Sequence, residues 1–372
     1  MSQDRIYFNH SPNPTIGVEA ELYTVSKDTY ELCSGAPKIL EHFIDDIHVK
    51  EELLECIVEV NTGICKTISD VRKDLTTKIH EVNAEVEKNG NALISMGTHP
   101  FSKWKDQTIT NSQRYLSFLE RMQWPVRKLI ISGLHVHIGV ESGEKAIAIT
   151  NGLTRYIPIL IGLSANSPYF DREETGLAST RTKIFEGLPT TGLPPLLKNY
   201  SEFQKFMRTL ISAQSIESIR EIWWDIRPHP GYGTVEIRIC DTIPNLSHIA
   251  DLSALCQALV VGMSNHYDNG TQLSFLDSWI IYENKWRATR YGMDAQLITD
   301  AYGTQESIKD LIKKTISKLA PEIEKLNIHE NMDNIINRIN NNHSYYKEQL
   351  SIYNKTNDFN DLIKKNIKDL KE

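Results

Sequence analysis

The first clear pattern along the chain is an alternation of apolar and polar residues over residues 15–23. Apolar side chains occupy every second position from Ile16 to Leu22, and Glu19 and Glu21 stand together on the opposite side. Because successive side chains of a strand point to opposite faces, this run predicts a strand with one buried face. Two carboxylates about 7 Å apart repel each other unless water or a cation lies between them. An isolated pair of this kind is usually a solvated strand face, so its meaning depends on the rest of the chain.

Three further runs combine an apolar face with charged or histidine side chains on the opposite face. These pairs are Glu55 and Glu59 in residues 51–60, His135 and His137 in residues 128–140, and Glu236 and Arg238 in residues 234–239. Glu52 falls on the other face of its run unless a bulge or turn intervenes, and periodicity alone leaves its position open.

Helical periodicity is clearest over residues 69–89. Ser69 can cap this helix, an apolar stripe runs from Val71 to Val86, and Gly90 follows its end. Residues 164–199 form a long irregular segment, and segments of this length inside a domain are usually functional or disordered. Further helices are predicted over residues 36–45, 111–122, 144–163, 202–213, 246–263 and 282–291, and over most of the chain from residue 306 onward.

No internal repeat and no linker-like segment divides the chain. A chain of 372 residues can bury roughly three quarters of its unfolded surface, and sheet-based domains of this size often stay undivided. We therefore predict one large domain over residues 1–302, with a helical C-terminal extension over residues 303–372 packed on it.

Composition narrows the classes of partner. The formal net charge of −7 argues against a nucleic-acid partner, because such binding depends on neutralising phosphates. The five cysteines form no CxxC pair, which favours a reducing compartment over a disulfide framework. Residues 1–5 lack the apolar run of a secretory signal, and the longest uncharged apolar stretch, residues 156–170, is too short to span a bilayer. These observations predict a cytoplasmic protein with neither a nucleic-acid nor a membrane partner.

Carboxylates dominate the polar strand faces, and hard oxygen donors suit Mg²⁺ or Mn²⁺ better than structural zinc. A single histidine can join such a site. Cations held by acids, with arginines beside them, form the electrostatic pattern of phosphoryl transfer from a nucleotide. The arginines able to make bidentate contacts to phosphate or carboxylate are Arg181, Arg227, Arg238 and Arg290.

The residues alone leave two other functions open. One is a metal-dependent amide hydrolase that uses His135 and His137 together with the acids. The other is a non-catalytic sensor of a nucleotide or metabolite on the same scaffold. The sequence contains no P-loop motif, GxGxxG fingerprint, HExxH or GxSxG, which weakens the nucleotide-binding, protease and serine hydrolase classes defined by those motifs.

Short stretches in chain order, from about residue 15 to 300, resemble the type 2 glutamate–cysteine ligase family, the bacterial YbdK-type ATP-dependent carboxylate–amine ligases. Any one match could be chance, whereas the ordered set is specific. The stretches are residues 17–22 (GVEAEL), 97–101 (GTHPF), 133–139 (GLHVHIG), 163–169 (LSANSPY), 224–228 (WDIRP), 233–238 (GTVEIR) and 286–292 (WRATRYG).

The resemblance implies an α+β fold with a glutamine-synthetase-like, curved, mainly antiparallel catalytic sheet flanked by helices. It implies that ATP phosphorylates a glutamate-like carboxylate, and that an amino acid such as cysteine, or another amine, displaces the phosphate to form an amide. The expected cofactors are ATP and Mg²⁺, with Mn²⁺ as a substitute. The expected partners are small-molecule substrates and a second copy of the chain in a homodimer.

The resemblance also implies roles for individual residues. Two of them keep an alternative, since His137 can be a hydrogen-bonded residue beneath the site and His99 can be a loop cap. The implied metal ligands are Glu19, Glu21, Glu52, Glu59, His135 and Glu236. The implied nucleotide contacts are Arg238 and Arg227, and the implied substrate contacts are Arg181, His99, Asp225, Arg290 and His137. The residues expected to be catalytic are Glu21, Glu236, Arg238 and Arg181.

Overall fold

The computed structural model describes residues 6–271, 273 and 275–371. Residues 1–5, on which the prediction of a missing secretory signal rests, lie outside this part of the chain. The strands are β1 (Ile16–Ser26), β2 (Val49–Glu51), β3 (Ile57–Asn61), β4 (Asn91–Ile94), β5 (Gly133–Gly139), β6 (Tyr169–Phe170), β7 (Glu173–Glu174), β8 (Thr191–Gly192), β9 (Trp223–Trp224), β10 (Ile226–His229), β11 (Thr234–Asp241), β12 (Gln296–Ile298) and β13 (Gln305–Ser307).

Helices surround these strands. They are α1 (Ala36–Leu40), α2 (Ile68–Lys88), α3 (Gln113–Met122), α4 (Trp124–Arg127), α5 (Gly143–Leu153), α6 (Ile157–Ser164), α7 (Thr180–Phe185), α8 (Tyr200–Ser212), α9 (Leu246–Asp268), α10 (Ser278–Tyr291), α11 (Ile308–Lys318), α12 (Ala320–Leu326), α13 (His329–Asn340), α14 (Tyr345–Thr356) and α15 (Phe359–Lys371). Short 3-10 turns are η1 (Trp104–Asp106), η2 (Thr154–Tyr156), η3 (Ile219–Glu221) and η4 (Gly292–Asp294).

A seven-stranded sheet forms the centre of the described structure. Its order is β10-β11-β5-β1-β3-β2, and β4 also pairs with β1. All of these pairs are antiparallel. Each strand can therefore present one face to a core and the other to a different environment.

The alternation predicted for β1 is confirmed. Ile16, Val18, Ala20 and Leu22 are buried in the main core, whereas Glu19 and Glu21 are only half-buried on the other face. The apolar side packs against α2 and α9, which also contact each other. One face of the sheet is thus sealed by helices, and the opposite face is left for polar side chains.

Helix α2 is confirmed, although its start differs from the predicted one. The N-cap is Thr67 rather than Ser69: the Asp70 N–H donates to the Thr67 hydroxyl at 3.2 Å, and the Thr67 N–H donates to the Asp70 carboxylate at 2.9 Å. This reciprocal capping box satisfies two backbone donors that the helix leaves open. The helix ends before Gly90, whose φ of 73° suits glycine.

The single helix predicted for residues 144–163 is broken into α5, η2 and α6. Pro158 lies in the first turn of α6, where its missing N–H costs least, so the chain restarts a helix there. By length and composition, the runs Gly143–Ser164 and Leu246–Asp268 could cross a bilayer, but 78% and 89% of their apolar windows are buried inside the fold. These runs are core helices of the domain.

The C-terminal helices pack on the domain, and α15 contacts the sheet directly. Helix α13 packs on α9, and α15 packs on β4. Asn366 of α15 acts like an added strand residue, because its side-chain amide accepts from Ser95 N–H at 2.7 Å and donates to Ser95 C=O at 2.8 Å. These contacts support the proposed packing of the extension, while the boundary at residue 302 stays a prediction.

Asn366→Ala is expected to lower the free energy of unfolding by about 2 kcal/mol, because the buried Ser95 N–H loses its acceptor, whereas the Ser95 carbonyl still accepts from Asn166. Urea denaturation measures this change. The exposed Asn354→Ala on α14 is the matched control and should leave the midpoint nearly unchanged. An unchanged midpoint for Asn366→Ala would contradict the proposed role of this contact.

Candidate functional site

The polar faces of four neighbouring strands meet above the centre of the sheet. Cross-strand register places Glu21 opposite Glu59, Glu19 opposite His135, and His137 opposite Glu236. Residues directly opposite each other on antiparallel strands project to the same side, so these side chains are brought together by strand pairing. The site is therefore built on rigid elements rather than on loops.

These side chains line a cavity of about 310 Å³. Of the residues predicted to be functional, it brings together Glu19, Glu21, Glu52, Glu59, His135, His137, Arg181, Arg227, Glu236 and Arg238. The open question about Glu52 is answered by a turn: the predicted strand over residues 51–60 stops at Glu51 and resumes at Ile57. That interruption lets Glu52 point into the same cavity as Glu59.

Three overlapping groups of side chains could hold a cation. Within each group, one ligand atom from every member lies within 4.8 Å of the others. Oxygen-rich groups with a single imidazole suit Mg²⁺ or Mn²⁺. The groups are Glu19, Glu59 and His135; Glu19, His137 and Glu236; and Glu21, Glu52 and Glu59.

In both histidines one ring nitrogen is hydrogen-bonded, and the other faces carboxylates at 3.4 to 3.8 Å without forming a hydrogen bond. His135 Nδ1 lies 3.0 Å from a Glu19 carboxylate oxygen, and His137 Nδ1 lies 3.0 Å from the Thr234 hydroxyl. Nε2 of each ring is buried without a hydrogen-bond partner among the described residues. Metal-ligating histidines are typically oriented in this way, with one nitrogen fixed and the other directed to the ion. The residues present therefore fit a divalent cation.

The pKa shifts divide the acids into two sets. Burial raises the pKa of Glu21 to about 7 despite the nearby Arg181, and burial followed by the charges of neighbouring acids raises the pKa values of Glu52 and Glu59. For Glu236, burial is outweighed by Arg227 and Arg238, so its pKa is well below the usual value. The protein thus neutralises Glu236 itself, whereas a cation would relieve the repulsion around Glu21.

Glu236 is fully buried between two arginines that differ in what else they hold. Arg227 Nε lies 2.6 Å from Glu236, and Arg227 Nη1 donates to the carbonyls of Ile219 and Ile222 at 2.7 and 2.5 Å. Most of its donors are therefore occupied by the protein. Its predicted nucleotide contact has little support in this geometry, and we propose instead that Arg227 ties η3 to the sheet.

Arg238 and Arg181 keep donors free. Arg238 donates through Nη1 to Glu236, while its Nε is buried without a hydrogen-bond partner in the described chain. Arg181 donates to the carbonyls of Ile239 and Arg238, both at 3.2 Å, and its Nε is likewise unpartnered there. Arg181 lies against Gly133, where a Cβ would fall 2.2 Å from its Nη2. Only glycine leaves this space for the guanidinium.

Three residues predicted to contact substrate do not line the cavity. His99 uses Nε2 towards the Tyr30 carbonyl at 3.0 Å and Nδ1 to accept from Ser102 N–H at 3.0 Å, which is the loop-cap role. Asp225 is buried against Lys285 at 2.6 Å. Arg290 is exposed and lies over the Tyr291 ring. We therefore leave these three out of the proposed substrate contacts.

The sequence did not reveal several lining residues. Lys50 lies 3.4 Å from Glu59, Arg114 comes from α3 and Arg220 from η3. None of these residues belongs to a motif or an alternating run, so the local sequence did not indicate that they line the cavity.

A second cavity of about 850 Å³ adjoins the first. It is formed largely by the chain before β1 and by the segment after β3, and it includes the exposed apolar residues Ile47 and Ile64. The side chains shared by both cavities are Glu19, Lys50, His137 and Tyr232. The acidic centre can therefore be approached from two sides.

Arg227→Gln is expected to lower the free energy of unfolding by about 3 kcal/mol or more, because it leaves buried Glu236 with less neutralising charge and frees two carbonyls of η3. Chemical denaturation measures this loss. The exposed Arg72→Gln on α2 serves as the control. Full stability of Arg227→Gln would show that Arg227 is not a structural tie.

Comparison with known proteins identifies the family. The model of glutamate-cysteine ligase family 2 matches residues 15–361. The chain belongs to this family. A relative from Thermobifida fusca that carries the name glutamate–cysteine ligase 2 is 39% identical over 353 residues, covering 93% of this chain and 88% of the relative. A relative of the same name from Gloeobacter violaceus is 40% identical over 318 residues, covering 84% and 86%. An amide-bond-forming ligase, as predicted, follows from this membership.

Solved structures share the fold at low sequence identity. A glutamate–cysteine ligase from Francisella tularensis, crystallised with AMP, aligns with a TM-score of 0.72 at 13% identity and covers 98% of this chain and 90% of that one. A bifunctional glutathione synthetase from Pasteurella multocida aligns with a TM-score of 0.71 at 12% identity, covering 96% and 52%. The predicted α+β class, an antiparallel sheet flanked by helices as in glutamine-synthetase-like ligases, is confirmed.

Proposed function

We propose that the family 2 ligase described here joins a glutamate-like carboxylate to the amino group of an amino acid or amine, with ATP and Mg²⁺. The observation that carries this proposal is the convergence of carboxylates, two histidines and two partly free arginines on one cavity, from separate strands, from the turn after β2 and from helix α7. Such a site suits a reaction in which phosphate charge must be held and redistributed.

The reaction has two steps. A carboxylate oxygen of the acid attacks the γ-phosphorus of ATP, the bond to the β-phosphate oxygen breaks, and ADP leaves. The amine then attacks the acyl carbon, the carbon–oxygen bond to phosphate breaks, and the amine loses a proton. The products are an amide, ADP and inorganic phosphate.

The ligands proposed for the cations are Glu19, Glu21, Glu52, Glu59, His135 and Glu236. When bound there, Mg²⁺ or Mn²⁺ supplies charge neutralisation for the triphosphate. His137 lies between two of these ligands: its Nε2 is 3.4 Å from Glu19 and 3.8 Å from Glu236. It either binds a cation together with them or holds Glu19 in place.

The two arginines have different proposed roles. Arg238, fixed by Glu236, has a free Nε with which to stabilise the transferred phosphoryl group. Arg181, held by backbone carbonyls, would direct its own free Nε at the amino-acid substrate. Both would act from positions that the protein has already fixed, which is what stabilises a transition state efficiently.

The two cavities suit two kinds of substrate. We assign the larger, more apolar one to the nucleoside of ATP and the smaller, arginine-lined one to the amino acid. Tyr232 stands between them and stacks on His229, with 4.2 Å between ring centroids. The triphosphate of ATP would then reach the acidic centre from the larger cavity, and the carboxylate of the acid substrate would reach it from the smaller one.

The cellular setting is also proposed. The five cysteines are free in the structure, which suits a reducing cytoplasm. We retain the homodimer as a proposal, which sedimentation velocity of the full chain would test directly.

A coupled assay for ADP release, with glutamate and a panel of amines, tests the ligase. We expect ADP only when ATP, Mg²⁺, the acid and an amine are all present. A hydrolase would instead cleave an amide without ATP, and a sensor would bind ATP without consuming it. Either result, obtained with folded protein, would overturn the proposal.

A further inference from the structure

Two arginines at the smaller cavity make no direct ion pair with an acid of the described chain. Among the described residues that line it, Lys50, Arg227 and Arg238 pair with glutamates, and Arg181 donates to backbone carbonyls. Arg220 makes no side-chain hydrogen bond or ion pair within the described structure. Arg114 lies over the ring of Tyr115, and its positive charge interacts with Glu52 at longer range. Both side chains are exposed and border the cavity.

The backbone that carries Arg220 is firmly held. Arg227 donates to the carbonyls on either side of it, from Ile219 and Ile222. Glu221, the next residue, accepts from Arg121 at 2.6 Å, and its carbonyl accepts from Thr190 at 2.5 Å. Because this backbone is already fixed, only the side chain of Arg220 has to be ordered when a ligand binds, which lowers the entropic cost of binding.

Arg114 stands on the same wall of the cavity. Helix α3, which carries it, is joined to the segment before η3 through Ser117 to Glu217 at 3.2 Å and through Arg121 to the Ser215 carbonyl at 3.3 Å. The two arginines thus belong to one connected surface, and the carboxylates of the sheet line another part of the same cavity.

The positive charges of Arg220 and Arg114 suit an anionic substrate group that takes no part in the reaction. An acid entering this cavity meets five glutamates of the proposed cation site, on a protein of net charge −7. Local positive charge is needed to draw such a substrate in. Guanidinium groups bind carboxylates in a planar, two-pronged geometry that lysine cannot reproduce.

We propose that Arg220 and Arg114 bind the α-carboxylate of the glutamate-like acid and make the ligase selective for acids that carry this group beside an amino group. This inference rests on the proposed function. The site would recognise the carboxylate that lies beside the amino group of the substrate. The same arginines could in principle meet a nucleotide phosphate, so the experiment includes an arm for ATP.

The test compares substrates that differ by one carboxylate: glutamate with 4-aminobutyrate, and cysteine with cysteamine. Arg220→Gln and Arg114→Gln are expected to raise the KM for glutamate by roughly tenfold or more, because a charged hydrogen bond is lost, while the KM for cysteine should change little. The KM for the decarboxylated analogue and that for ATP should stay within about twofold of wild type. Arg220→Lys should recover only part of the loss, because the two-pronged geometry is missing.

Arg72→Gln, an exposed change on α2, controls for the general loss of a positive charge. Circular dichroism checks that each variant is folded. A higher KM for ATP alone would reassign the arginines to phosphate and overturn the proposal. An unchanged KM for glutamate, with or without a higher KM for cysteine, would overturn it as well.

Failure of the proposed function is separable from failure of this inference. If wild-type protein consumes no ATP with any pair of substrates, calorimetric titration with glutamate takes the place of kinetics. Weaker glutamate binding by Arg220→Gln than by wild type then supports the carboxylate site on its own. Equal binding, or no binding by wild type, overturns it.

Discussion

Glu21→Gln is expected to lower ATP turnover at least about a thousandfold, or about 4 kcal/mol, while leaving the protein folded. Glu21 belongs to the same group of potential cation ligands as Glu52 and Glu59. Without a cation, the three carboxylates repel each other when all of them are charged. Glutamine keeps the shape and can still accept from the Gly133 N–H, but it removes the charge that would bind Mg²⁺. The loss should therefore appear in metal binding and catalysis rather than in folding.

The melting temperature of Glu21→Gln, measured with and without Mg²⁺, separates an effect on metal binding from an effect on folding. Without Mg²⁺ its melting temperature should equal or exceed that of wild type, because burial already holds the pKa of Glu21 near 7 and favours a neutral side chain. With Mg²⁺, the rise in melting temperature seen for wild type should shrink. Glu55→Gln is the matched control, since Glu55 lies outside the cavity lining although the strand pattern placed it beside Glu59. Wild-type turnover in Glu21→Gln would refute the cation site.

Arg238→Gln is expected to reduce kcat by about a hundredfold to a thousandfold, with a much smaller change in the KM for the amino acid. The proposed contact of its free Nε with the transferred phosphoryl group strengthens only as charge develops there, so the loss falls mainly on kcat. Steady-state phosphate release with ATP, Mg²⁺ and saturating substrates measures it.

Arg238→Lys and Arg227→Gln provide the comparison. Lysine at position 238 keeps the charge beside Glu236 and should retain part of the activity. Arg227→Gln should lose stability first, because that guanidinium is tied to Glu236 and to η3. If Arg238→Gln instead raised only the KM values and left kcat intact, Arg238 would be a ground-state binding residue.

Strand alternation predicted the centre of the site because strand geometry is strict. Once β1, β5 and β11 are neighbours, the side chains of Glu19, His135 and Glu236 must project from the same face. Neither periodicity nor the resemblance defined their order in the sheet, which is known only from the structure. Local rules thus predicted which side chains share a face, and the pairing determined which of them meet.

Residues outside strands were harder to predict. Glu52 reaches the cavity through a turn, and Arg220 through a 3-10 segment held by distant partners, so neither position has a repeating pattern. The resemblance implied ligand contacts for His99 and Arg227, but neighbouring groups of the protein already occupy most of their hydrogen-bonding capacity. Those contacts come from tertiary packing and leave no trace in a local stretch of sequence.

The most direct measurement follows oxygen from the acid into phosphate. Glutamate labelled with ¹⁸O in its γ-carboxylate is incubated with the enzyme, ATP, Mg²⁺ and an accepted amine, and the phosphate is analysed by mass spectrometry. An acyl-phosphate ligase transfers one labelled oxygen to each phosphate, with ADP and amide formed in equal amounts. Unlabelled phosphate, or AMP with pyrophosphate in place of ADP, would contradict the account.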